Sequence, residues 1–146
     1  MRAVVQRVSS AKLTVEGKLI GAIGKGLAVY LGVGRGDGEV QAQKTAKKIA
    51  ALRIFSDDAG KMNLSAGDVG GEILLISQFT LYGDCTHGNR PSFTAAEAPA
   101  AANALYERVA ELLRGYGLTV KTGVFGADMH IEQANDGPVT ILLDFS

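Results

Sequence analysis

The chain has 146 residues, 15 basic and 15 acidic side chains, 47% hydrophobic residues and 21% charged residues. This length and balance fit one globular domain over residues 1–146, and they exclude disorder and any apolar run approaching the roughly 20 residues that span a bilayer. Zero net charge counts against a protein that grips long stretches of phosphate backbone, while leaving room for contact with one nucleic-acid end.

Strand-like segments come first. Arg2 to Val8 and Ala11 to Val15 are rich in β-branched residues, Lys18 to Ile23 follows a Glu16-Gly17 turn, and Leu27 to Val33 is apolar enough for a buried strand. Glycines at 17, 21, 24 and 26 punctuate these segments as hairpin turns do. The period then changes. Between Val40 and Arg53, Ala42, Ala46, Ile49 and Ala50 recur at helical spacing, with Gln41, Gln43, Lys44, Lys47 and Lys48 on the other faces. Phe55 to Gly71 reads as a loop, and Ile73 to Ile76 as a short central strand running into Ser77 to Thr80. A polar loop spans Gly83 to Phe93.

The second helix is predicted from Pro99 to Arg114, with Leu105, Val109, Leu112 and Leu113 as its buried stripe. Proline is tolerated in a helix's first turn, so Pro99 is preferred as the start over a Thr94/Glu97 capping box. Gly115 and Gly117 end the helix. Val120 to Thr122 and Met129 to Ala134 read as strands, and the alternation at Val139, Ile141, Leu143 and Phe145 makes a last one. The expected fold is α+β: a mostly antiparallel, curved, barrel-like sheet with two flanking helices.

Three segments can carry chemistry. In Ser77-Gln78-Phe79-Thr80-Leu81, hydroxyls and an amide gather where an apolar strand gives out; they can polarise a carbonyl, or simply close the strand's hydrogen bonds. In Gly88-Asn89-Arg90-Pro91-Ser92-Phe93, Arg90 offers a planar fork suited to phosphate, or is a solvated loop residue. Asn135-Asp136-Gly137-Pro138-Val139-Thr140 holds a Gly-Pro turn directly before a strand. The remaining candidates are weaker. Asp57, Asp58 and Asp84 with His87 and His130 make no metal spacing. Cys85 beside His87 reads as an incidental loop cysteine, and the two histidines sit in no triad-like pattern. The glycines from Gly32 to Gly36 lack the ending of a phosphate loop.

In this order and over the whole chain, the segments SQFTL, GNRPSF and NDGPVT resemble the bacterial D-aminoacyl-tRNA deacylase family, and the opening Gln6-Arg7-Val8 also fits. The resemblance implies a cofactor-free, metal-free ester hydrolase acting on the acceptor 3′ end of D-aminoacyl-tRNA. It implies a homodimer with sites at the subunit interface. It also implies a cis Gly137–Pro138 bond entering the neighbouring subunit's pocket. By the same match, Ser77, Gln78, Phe79 and Thr80 form the catalytic floor, and Gly137, Pro138, Arg90 and Met129 bind substrate. The rival is a non-catalytic dimer that binds RNA ends or small molecules; zero net charge and the lack of interleaved aromatics speak against RNA binding alone. With a single Cys85, and with Arg2 and Arg7 interrupting any leader-like apolar start, a cytoplasmic, membrane-free protein is expected.

Overall fold

Strand β1 (Arg2–Val15) is the spine of the computed structural model, which describes residues 1–146. The sequence predicts two strands here, but pairing partners carry one strand through Ser9 and Ser10, which are poor strand formers by themselves. On one side it pairs antiparallel with β2 (Lys18–Ile23) through Ala11↔Ile23 to Val15↔Lys18, and with β3 (Gly26–Gly32) through Arg2↔Gly32 to Val8↔Gly26. Along the other side runs β8 (His130–Asp144), from Arg2↔Asp144 to Thr14↔His130. β8 likewise unites the two C-terminal strands expected from sequence.

The sheet is mostly antiparallel, as expected, but beyond β3 it continues in parallel. β3 pairs with β6 (Glu72–Ser77), and β6 with β7 (Val120–Thr122), both parallel. The crossovers are helical: α1 (Glu39–Ala51) lies between β3 and β6, and α2 (Pro99–Gly115) between β6 and β7. Parallel neighbours need such crossovers and are buried on both faces, which accounts for the unbroken Ile-Leu-Leu-Ile of β6. The sheet curls until its ends approach: a Cβ placed on Gly21 of β2 would lie 3.3 Å from the Lys121 Cβ of β7. The fold is thus α+β with a mixed, nearly closed sheet. The region expected as a loop after α1 carries a small hairpin, β4 (Phe55–Ser56) with β5 (Met62–Leu64).

Both helices cover one sheet face. Ala42, Thr45, Ala46 and Ile49 of α1 are buried, as are Ala102, Tyr106, Val109, Ala110 and Leu113 of α2, against Val5, Leu27, Val29, Leu31, Ile73 and Leu75. The expected α2 stripe was out of phase by part of a turn: Leu105 and Leu112 only flank the core, and Ala102 and Tyr106 take the centre. Helix α2 does begin at Pro99, as expected. The Tyr106 hydroxyl donates to the Leu75 carbonyl at 2.7 Å and pins α2 to β6, and burial pushes its pKa up to about 12, so it remains a donor. The other sheet face holds a smaller cluster, including Val8, Leu13, Ala28, Leu74 and Ile76. No helix is long and apolar enough to cross a membrane.

Asp37, in the turn between β3 and α1, is a structural keystone. Its Oδ2 lies 2.6 Å from the Met1 ammonium and accepts the Gly34 N–H at 2.7 Å, and the pair is almost wholly out of solvent. Removing one member of such a pair strands the other charge without water. Asp37→Ala is therefore expected to lose about 3–5 kcal/mol in urea unfolding.

Candidate functional site

Strand β6 gives out at Ser77, two residues beyond its last pairing with β7 at Leu75↔Thr122. The Gln78 N–H donates to the Leu31 carbonyl at 2.8 Å, closing the ladder, and Phe79–Tyr82 form one turn of 3-10 helix. The first N–H groups of any helical turn lack partners within it. Those of Phe79 and Thr80 have no backbone acceptor, while Leu81 donates to Gln78 and Gly83 to Thr80. Two free donors therefore sit side by side at the strand end.

Next to them opens a cavity of about 1070 Å³. Ser77, Gln78 and Phe79 line it on one side, Ala98, Pro99 and Ala102 at the start of α2 line another, and Phe125 to Met129 close it before β8. The walls are mainly apolar, which suits an acyl group more than a phosphate. Phe79 is 56% exposed and packs edge-on against Phe93, with ring centres 5.1 Å apart. That contact draws the end of the Gly83–Phe93 loop over the cavity mouth. The Asp84–Ser92 bridge fixes the base of the loop, its two backbone bonds measuring 2.8 and 2.9 Å.

Among the residues anticipated from sequence, Ser77, Gln78, Phe79 and Met129 thus share one cavity. Thr80 stands just outside its lining, and its hydroxyl accepts a hydrogen bond from Gln78 Nε2. Arg90 is fully on the surface of its loop, away from the lining. Gly137 and Pro138 are exposed on β8, outside this chain's own cavity, and the bond between them is cis, as the resemblance implies.

Sequence reading missed Phe93, Phe125, Ala102, Arg35 and Glu97, which also line the cavity. Phe93 stands inside a quoted segment and was passed over for Arg90. Ala102 falls on the α2 face that the misphased stripe concealed. Of the polar lining, Glu97 is committed: it accepts the Ala98 N–H at 2.8 Å and the Gly36 N–H at 3.3 Å, which hold its carboxyl below the usual range. His87 and His130 are absent from the lining, and His130 is 74% exposed beside Glu132. No group of three or more His, Cys, Asp or Glu side chains is arranged to hold a metal.

The Gly137–Pro138 turn is a bulge with a defined base. Gln6 pairs with Thr140 and Val8 with Asn135, so a single β1 residue, Arg7, faces four β8 residues, Asp136 to Val139. The surplus must leave the sheet. Arg7 braces it: Nε donates to the Asp136 carbonyl at 3.0 Å, Nη1 donates to the Ile54 carbonyl at 2.7 Å, and the Asp136 carboxylate lies 3.3 Å away. Gly137 has φ +130°, which L side chains rarely adopt.

Comparison with known proteins agrees with this architecture. The family model for D-Tyr-tRNA(Tyr) deacylase matches residues 4–144. The chain is 60% identical to the D-aminoacyl-tRNA deacylase of Thermotoga petrophila over 146 residues, covering 100% of this chain and 98% of that one. It is 62% identical to the D-aminoacyl-tRNA deacylase of Anaeromyxobacter dehalogenans over 144 residues, covering 99% and 97%. Among solved structures, c-Myc DNA Unwinding Element Binding Protein superposes with a TM-score of 0.93 at 42% identity, covering 100% of this chain and 99% of that one. A second, described as a probable eukaryotic D-amino acid tRNA deacylase, shares the fold with a TM-score of 0.83 at 20% identity, covering 99% and 98%. With the family matched from end to end, the chain belongs to the D-Tyr-tRNA(Tyr) deacylase family and is a hydrolase.

Proposed function

We propose that the chain hydrolyses the ester of D-aminoacyl-tRNA to free amino acid and tRNA, and that it selects substrate by the hand of Cα. The observation that carries this reading is the apolar cavity adjoining the unpaired Phe79 and Thr80 N–H groups. An acyl group lying in the cavity would bring its carbonyl oxygen to those donors, which then hold the oxyanion as water attacks. The C–O bond to the ribose breaks and the ribose oxygen leaves as a hydroxyl. Such an ester is already activated, so positioning and oxyanion donors suffice. The neighbouring 2′-hydroxyl of the terminal ribose assists the water, in the absence of a protein base held against a nucleophile. Arg90 meets phosphate of the acceptor end, and Met129 forms a wall against the amino acid.

The working unit in this reading is a homodimer, each subunit's Gly137–Pro138 turn entering its partner's pocket. Three features support it. β8 is a 15-residue edge strand with no neighbour on its outer side. Leu142 on that strand is 76% exposed. Long unpaired apolar edges are otherwise liabilities that proteins cover. The Gly137–Pro138 bulge, moreover, projects away from its own sheet.

A backbone pair pressed against Cα accepts hydrogen on one side and rejects any substituent there. The side chain of a D-residue then points outwards, which permits many amino acids. A thousandfold preference needs only about 4 kcal/mol, within reach of a steric clash. Glycine has no side chain to reject, so glycyl-tRNA is a substrate as well.

The test is to incubate the protein with D-tyrosyl-tRNA and L-tyrosyl-tRNA and follow released tyrosine. Release from the D-ester about a thousandfold faster than from the L-ester is expected, a gap of about 4 kcal/mol. Equal release from both would refute selection by hand, and release from neither would favour the non-catalytic binding dimer.

A further inference from the structure

The face of β1 opposite Arg7 carries a second brace on the same bulge. Successive strand residues point to opposite faces, so Gln6 and Arg7 flank the sheet from its two sides. The Tyr30 hydroxyl donates to Gln133 Oε1 at 2.7 Å. Gln133 Nε2 donates to Asn135 Oδ1 at 2.6 Å and to Gln6 Oε1 at 2.8 Å. Gln6 Nε2 in turn reaches Thr140 Oγ1 at 3.5 Å. One carboxamide thus has its acceptor and both donors engaged, and the donor direction runs one way, from Tyr30 outward.

The ends of this chain of bonds are informative. Asn135 and Thr140 are the two feet of the bulge, the last residues paired to β1 before Asp136 and after Val139. The origin, Tyr30, pairs with Ile76, and the next pair is Leu31↔Ser77. Ile76, Ser77, Leu31 and Ile131 all line the cavity, and Ile131 lies two residues before Gln133 on the same strand. The network therefore links the cavity wall to both feet of the projecting turn. Tyr30 and Gln133 are half-buried, and burial raises the Tyr30 pKa, so its hydroxyl keeps its proton as the fixed donor.

We propose that Tyr30 and Gln133 are positioning residues for chiral selection: through Gln6, Asn135 and Thr140 they set the angle at which the Gly137–Pro138 turn leaves the sheet. This rests on the proposal that the turn is the selecting element. Neither residue touches the reacting ester. Their loss should therefore loosen discrimination and leave hydrolysis of the D-ester largely intact. A role limited to stability would alter both esters alike or neither.

The experiment measures kcat/KM on D- and L-tyrosyl-tRNA for Gln133→Leu, Tyr30→Phe, their double variant and Gly137→Ala, with melting curves for each. Losing a hydrogen bond worth about 0.5–1.5 kcal/mol corresponds to roughly 3–10-fold, so Gln133→Leu is expected to raise the L/D ratio about tenfold and Tyr30→Phe about threefold. The double variant should match Gln133→Leu, since the tyrosine acts through the carboxamide. D-ester turnover should stay within about threefold in all three. Tyr30→Phe removes a single oxygen from a half-buried ring and keeps the test open if Gln133→Leu melts at assay temperature. If Gly137→Ala relaxes the ratio while Tyr30→Phe and folded Gln133→Leu leave it unchanged, the positioning role is overturned and the gate stands. If Gly137→Ala also leaves the ratio unchanged, the gate itself falls and takes the positioning role with it.

Discussion

A D-tyrosyl-tRNA whose terminal ribose lacks the 2′-hydroxyl is expected to turn over about 10²–10⁴-fold more slowly than the natural ester, the range a positioned acid–base group supplies. Thr80→Ala, by contrast, should keep activity within about tenfold of the parent protein, since it removes no such group. The geometry of the strand end gives the reason. A threonine nucleophile needs a base within hydrogen-bond reach. Thr80 Oγ1 instead accepts a hydrogen bond from the Gln78 amide NH2, a donor that cannot take up the hydroxyl proton and so cannot act as a base. Its side chain also stands outside the cavity lining. Neither histidine lines the cavity, the Glu97 carboxylate is occupied by two backbone N–H groups, and Asp128 is exposed at the rim. What the protein does offer are the two open N–H groups of Phe79 and Thr80, and these survive Thr80→Ala because they belong to the backbone. Single-turnover rates on the two esters and the two proteins check the point. Full loss in a folded Thr80→Ala protein, with the deoxy ester still cleaved, would move the chemistry back onto the side chain.

The second large effect concerns the turn. Gly137→Ala should collapse chiral discrimination, raising the L/D ratio about a hundredfold, equivalent to nearly 3 kcal/mol of lost selectivity. A Cβ at this position would lie 2.9 Å from the Val139 nitrogen, 3.0 Å from Val139 Cγ2 and 3.1 Å from Arg7 Nη2. Backbone cannot yield cheaply to such an approach, and the φ of +130° is itself unfavourable for alanine, a strain of about 1–3 kcal/mol. The turn must therefore move, and a selecting surface that depends on contact with Cα loses its fit. Because residues 134–138 are exposed and outside the core, the fold should persist and the D-ester should still be cleaved. An unchanged L/D ratio in this variant would remove the turn from the selection step.

How far the sequence foretold all this depends on the range of the interaction that decides each feature. Helix α1 was legible because Ala42, Ala46 and Ile49 mark a stripe with no competing one. The α2 stripe misled because Leu105 and Leu112 are better hydrophobes than Ala102 and Tyr106, and only the packing against β6, fixed by the Tyr106–Leu75 bond, decides between the phases. β1 and β8 each looked like two strands for a related reason. Ser9-Ser10 and Asn135 to Pro138 are poor strand formers locally, and their pairing partner lies more than a hundred residues away. The site was legible as segments and not as a cavity. Ser77 to Phe79 and Met129 were singled out together, but nothing local brings Phe93 onto Phe79 or sets Ala102 opposite Ser77. Arg7 stood out only as part of an opening tripeptide and as a charge near the start of the chain; its work as a brace depends on Asp136 and Ile54, both remote in sequence.

Selection by the hand of Cα, rather than by side-chain shape, is tested most directly by three substrates that differ only at that carbon. Deacylation rates on D-alanyl-tRNA, glycyl-tRNA and L-alanyl-tRNA should fall into two groups, with the D-alanyl and glycyl esters within about tenfold of each other and the L-alanyl ester about a thousandfold slower, a gap of about 4 kcal/mol. A glycyl ester as resistant as the L-alanyl ester would contradict the account, because it would mean that the site demands a D side chain instead of refusing an L one.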